Sequence, residues 1–257
     1  MRSPRSVTLA CLIHGVVGVR RCHPSTVKLP PCESIQGPAR ALCKGLELLA
    51  SAGCAQLQQR SFLAHAIQTV GLANHKRGKL LYGPVSVKHM HPEATSAGLT
   101  QQPYQLASAL IELSQHQIES YLELGIAQAW TLCFITAYLS RYTSSIVEPL
   151  HSFGVDIKLT SIGQDTQPLL DALGIRVGVR ATKQPSMVPR LTGGASRLGL
   201  CFIDAAHGYG SVYRDYLELL PHCRLFMFHD VFDYDVGKVS RLVPVYYMCA
   251  PGCSRSP

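Results

Sequence analysis

The chain has 257 residues, of which 47% are hydrophobic and 16% charged, with a formal net charge of +8. That is apolar enough to bury a core and too weakly charged for a disordered chain. No apolar run reaches the roughly 18 residues that span a bilayer, which speaks for a soluble protein without a membrane span.

The positive charge is unevenly placed. Arg2, Arg5, Arg20, Arg21 and Lys28 all precede the first acidic residue, Glu33. Setting aside these five of the 24 basic residues leaves 19 against 16 acidic ones, a net charge of +3. The body of the chain therefore needs no broad phosphate-binding face, and no nucleic-acid partner is expected. Residues 7–19 form a 13-residue apolar stretch broken by His14, behind two arginines. It fits the core of a secretory signal; the Arg-rich, acid-free composition fits an organelle transit peptide equally, and an unstructured terminus is the third reading. Prolines at 24, 30, 31 and 38 extend this region as a linker, so residues 1–38 read as a targeting segment or disordered linker. The ten cysteines include no CxxC pair, so the spacing of a zinc site is missing. Cys133 and Cys201 sit inside apolar runs and read as small core residues, with a reduced compartment as the simpler setting.

From residue 39 to about 72, Leu42, Leu46, Leu48, Leu49, Leu63, Ala66, Ile67 and Val70 recur at helical spacing, which predicts two amphipathic helices. Residues 71–98, rich in Gly, His and Pro, read as a connecting loop. A helix is expected over residues 103–117, with Pro103 at its start. Residues 39–117 thus form a helical N-terminal cap. The pattern then changes. Apolar strand runs are expected at 120–125, 153–157, 175–180, 198–204 and 225–230, with helices at 129–141 and 211–220. Strands alternating with helices predict an α/β domain with a parallel sheet over residues 118–250, since parallel neighbours need crossover connections.

Four of these strands end in polar residues: Glu123 and Gly125, Asp156, Asp204, and the pair His229 and Asp230. Open α/β sheets bind ligands beyond the carboxyl ends of their strands, and carboxylates there must face a solvated or ligand-filled space. The run YLELG from Tyr121 to Gly125 resembles the first motif of class I S-adenosylmethionine (SAM)-dependent methyltransferases. The stretch from Phe202 to Asp215 has the pattern FID-x-x-H-x-Y-x-x-V-x-x-D, and FHD follows at Phe228 to Asp230. Together these resemble a subgroup that includes sugar and small-molecule O-methyltransferases, over roughly residues 99–242.

The resemblance implies a Rossmann-like methyltransferase fold and SAM as cofactor, held by Glu123, Gly125, Asp156 and Asp204. Asp156 would accept the ribose hydroxyls, as an ionised carboxylate does well. It further implies Mg²⁺ on Asp204, His229 and Asp230, His207 as the general base, and a small-molecule acceptor. Arg214 and Asp215 read as a solvated helix face or a salt bridge, and Tyr209 as a residue that packs or closes over a ligand. Two departures stand out. Ala127 and Ala129 occupy positions where the family's loop carries further glycines, and 27 residues after Asp230 leave the last hairpin of the family fold truncated. They fit a non-catalytic or truncated methyltransferase-like binding domain as the alternative. A dinucleotide-dependent oxidoreductase is disfavoured, because no G-x-G-x-x-G follows the first strand.

Overall fold

The computed structural model describes residues 21–71, 99, 101, 103–144, 150–159, 162–179, 197–205, 209–229 and 246–247. His207, Asp230 and most of the 71–98 loop lie outside them.

Six parallel strands form one sheet: β1 (Ser120–Leu124), β2 (His151–Asp156), β3 (Arg176–Val179), β4 (Leu198–Ile203), β5 (Cys223–Phe228) and β6 (Tyr246–Tyr247). Their order is β3-β2-β1-β4-β5-β6. The chain therefore builds outward from β1 in one direction, then returns to β1 and builds outward in the other, the doubly wound arrangement of a Rossmann-like α/β domain. Beyond β5 the described residues include one further short strand, parallel to it, with Met227 opposite Tyr246.

Alternation along the strands divides the core in two. Tyr121, Leu200, Phe202 and Met227 face a layer of N-terminal helices, whereas Leu122, Leu124, Cys201, Ile203 and Phe228 face the opposite side. The helices are α1 (Ala39–Ser51), α2 (Cys54–Leu57), α3 (Arg60–Val70), α4 (Pro103–Leu113), α5 (Trp130–Leu139), α6 (Gln167–Ala172) and α7 (Tyr209–Leu219). All ten residues of α5 are buried, because the sheet covers one side and the cap helices cover the other. On the far face, Val212, Tyr216 and Leu219 of α7 pack on Leu122, Leu124, Phe226 and Phe228. Of the pair expected on a solvated face or in a salt bridge, Asp215 is buried and Arg214 exposed. The α6 helix was not anticipated, since six residues are too few to establish a period.

Residues 21–38 also differ from the linker expected there. Cys22 is bonded to Cys54 and Cys32 to Cys43, with Cα separations of 5.6 and 5.5 Å. Cys32 and Ile35 are buried among the cap helices. Arg141, 3% exposed, donates through Nε to the His23 carbonyl and through its other nitrogens to the carbonyls of Leu49 and Ala52. A buried guanidinium satisfied by backbone carbonyls fixes this segment in place. Cys201 is in the core as expected but is bonded to Cys223 across β4 and β5; among the described residues Cys133 is the free thiol. Six of the ten cysteines are thus paired in three cystines. No helix among the described residues is long and apolar enough to cross a membrane.

Candidate functional site

Strand register brings the sequence-predicted residues to one level. Leu124 lies opposite Val155 on one side and Ile203 on the other, and Ile203 lies opposite Phe228. The next residue of each strand is therefore Asp156, Gly125, Asp204 and His229, in that spatial order across four adjacent strand ends. Backbone bonds carry the pairing into these positions: Gly125 N–H donates to Val155, Asp204 N–H to Leu124 and His229 N–H to Ile203. The order of the sheet reverses between β1 and β4, and open α/β sheets bind their ligands beyond the strands' carboxyl ends at such a switch point.

Gly125 turns the chain at this point with φ +87°. A Cβ there would stand 2.2 Å from the Asp204 carbonyl oxygen and 2.6 Å from the Ala205 Cα. Neither backbone atom can yield, so glycine is required both for its torsion and for the close approach of β4. Ala127 and Ala129 continue the loop at φ 44° and 63°. Both are in the left-handed region that L residues avoid, so the loop keeps a glycine-type path even though alanine stands there. The Asp156 carboxylate steadies it: Oδ2 accepts the Ala127 N–H at 2.8 Å, and Oδ1 faces the Lys158 N–H at 3.4 Å.

Asp204 is held from two sides. Its Oδ2 accepts a hydrogen bond from Gln101 Nε2 at 2.9 Å, and its Oδ1 stands 3.1 Å from His229 Nδ1. Gln101 in turn accepts from the Thr131 hydroxyl at 2.7 Å. The His229 ring also meets Phe202 edge-on. Neither Gln101 nor Thr131 had a sequence signal, because one precedes α4 and the other lies inside the apolar run of α5.

Glu123 is buried two residues before the turn and accepts the Tyr121 hydroxyl proton at 2.5 Å. Burial pushes its carboxyl pKa up to about 8; the Tyr121 bond and His229 oppose that rise, while Asp204 and Asp156 add to it. Near neutral pH this side chain is therefore largely a neutral acid. Burial, with the Glu123 charge beside it, likewise drives the Tyr121 hydroxyl well above its ordinary value.

The described donors do not make a magnesium site by themselves. Mg²⁺ wants a near-octahedral set of oxygens. Asp204 offers one carboxylate already engaged by Gln101 and His229, and an imidazole nitrogen is a poorer partner for a hard cation. Asp230, the third expected ligand, and the base candidate His207 lie outside the described residues, as does the Tyr209 side chain. The one group of three metal-type donors among the described residues is Cys32, Cys43 and Glu47, and its two sulfurs are bonded to each other.

Strand order and the level strand ends define a Rossmann-like α/β domain with polar residues gathered at its switch point. No protein-family model matches the chain, and neither does any curated protein. Among solved structures, a chain of cmcI named as a Mg-SAM form matches with 13% identity and a TM-score of 0.35, covering 66% of this chain and 74% of that one. A likeness of that size adds nothing to what the strand order already says.

Proposed function

We propose that this chain is a SAM-dependent methyltransferase acting on the hydroxyl oxygen of a small acceptor. The observation that carries this reading is the shared level of Asp156, Gly125, Asp204 and His229 at the switch point, beneath a loop that keeps left-handed torsions at Ala127 and Ala129. A loop that had lost its cofactor role would gain from relaxing those torsions. Their retention favours the binding reading over a decayed domain.

When bound, SAM supplies an electrophilic methyl group on a sulfonium. Asp156 uses one lone pair on Ala127 and retains others for ribose hydroxyls, since a carboxylate offers about four acceptor positions. Gly125 makes the tight turn that carries the loop from the end of β1 towards Ala127, with the Asp204 and Ala205 backbone packed against it. Asp204 and His229 form the polar wall beside it. His207, three residues beyond Asp204, is the base in this reading and takes the acceptor's proton as the new C–O bond forms and the C–S bond breaks. Holding the acceptor in line with the methyl group is worth several kcal/mol of the barrier. A divalent ion in this reading would be held by Asp204, His229 and Asp230 and would lower the pKa of the acceptor hydroxyl; chelator is expected to suppress turnover and Mg²⁺ to restore it, and insensitivity would remove that part of the reading. Maturation in an oxidising compartment is part of this reading, and the three cystines support it.

The test is a thermal-shift panel on the oxidised protein with SAM, S-adenosylhomocysteine and NAD. SAM at 100 times its Kd raises stability by about 2.7 kcal/mol through mass action. Asp156→Ala is expected to abolish that shift. A response to NAD and none to SAM would replace the proposal with the oxidoreductase reading; no response to any would favour a non-catalytic domain.

A further inference from the structure

We propose that Gln101 is a positioning residue of this cleft, the link through which the helical cap sets the Asp204 carboxylate. The proposal rests on the methyltransferase reading for its consequence, though not for its geometry. Gln101 is 1% exposed and both ends of its amide are used. Oε1 accepts the Thr131 hydroxyl at 2.7 Å, and Nε2 donates to Asp204 Oδ2 at 2.9 Å. Turning the amide over would break both bonds and aim a carbonyl oxygen at a carboxylate, so one orientation is strongly preferred. Thr131 enforces that choice. Its hydroxyl, on the second residue of α5, donates to the amide oxygen and leaves the NH₂ group facing Asp204.

Gln101 fixes Oδ2 by a hydrogen bond, and His229 Nδ1 stands 3.1 Å from Oδ1 on the other side of the Asp204 carboxylate. Its backbone is held separately, by the Leu124 carbonyl and by close packing under Gly125. Removing Gln101 therefore frees the side chain while the strand end stays in place. That separation distinguishes a positioning role from a structural one. It also joins two parts of the chain 103 residues apart, one in the cap and one at the sheet.

Thr131→Val and Gln101→Met keep shape and delete one polar partner each; Thr131→Ser keeps the hydroxyl. On the full oxidised chain, SAM affinity is measured by calorimetry and the His229 ring nitrogens by ¹⁵N NMR. Thr131→Ser should match the unmodified protein. Thr131→Val and Gln101→Met should bind SAM at least roughly tenfold more weakly, as expected for losing a hydrogen bond to a charged group, and should move the His229 signals. Unchanged affinity together with unmoved His229 signals in both variants overturns the proposal. Should the unmodified protein not bind SAM, the methyltransferase reading fails on its own. The His229 signals then decide the positioning role: movement in Thr131→Val but not Thr131→Ser supports it, and no movement overturns it. If Gln101→Met does not fold, the Val and Ser pair at Thr131 carries the same decision.

Discussion

Replacing Ala127 by glycine should stabilise the chain, whereas the same change two residues later, at Ala129, should not. A left-handed backbone costs an L residue roughly 1–2 kcal/mol. Glycine removes that cost but gives back about 0.5–1 kcal/mol through the greater freedom of the unfolded chain. Ala127 is exposed, so its methyl group contributes no burial, and the net gain is about 0.5–1 kcal/mol. Ala129 is fully buried, and losing its methyl forfeits roughly 0.8 kcal/mol, which cancels the gain. Gly125→Ala runs the other way. It places a Cβ against the Asp204 carbonyl at φ +87°, and torsion plus overpacking together cost roughly 3 kcal/mol or more. Urea unfolding of the three oxidised variants at one pH measures all of this. A destabilised Ala127→Gly, or a larger gain at Ala129 than at Ala127, would refute the assignment of strain to this loop.

Three further outcomes are expected. The raised Glu123 pKa means that the folded state holds this proton more tightly than the unfolded chain does. The associated stability is therefore present below about pH 4.5 and is lost as pH rises toward about 8, with a ceiling of roughly 5 kcal/mol. Glu123→Gln should flatten that part of the unfolding profile, and parallel profiles would show that the carboxyl ionises freely. Cys22→Ser with Cys54→Ser releases a closed loop of 32 residues and should cost about 3–4 kcal/mol in chemical unfolding without reductant; peptide mapping that finds these two thiols free would remove the basis of that figure. Arg141→Met orphans the carbonyls of His23, Leu49 and Ala52 and should cost about 3 kcal/mol. Faster amide exchange over residues 21–35 would locate the loss at the N-terminal segment, and unchanged exchange there would contradict the clasp.

Much of the sheet and part of the cleft could be read from the chain because the signals are local. The apolar runs ending at Glu123, Asp156, Asp204 and His229 each announce a strand that leaves the core at a polar residue; four of the six strands were anticipated on that ground, and β3 from the separate run at 175–180. Alternation with helical segments was enough to infer parallel pairing. What stayed hidden depended on which distant segments meet. Gln101 and Thr131 look like ordinary residues until the cap folds over β4. Asp215 turns inward because of where α7 lies on the sheet, not because of its neighbours in sequence.

Periodicity within each segment thus determined that this protein is α/β and that its acids and imidazole sit at strand ends. Only the tertiary structure decided that four of those ends share one level, that Asp204 is clamped by the cap, and that residues 21–38 are stapled to the body. The reason is physical. Strand order, cystine pairing and buried side-chain contacts arise from packing between segments far apart in the chain, and a local pattern holds no record of which partner each will meet.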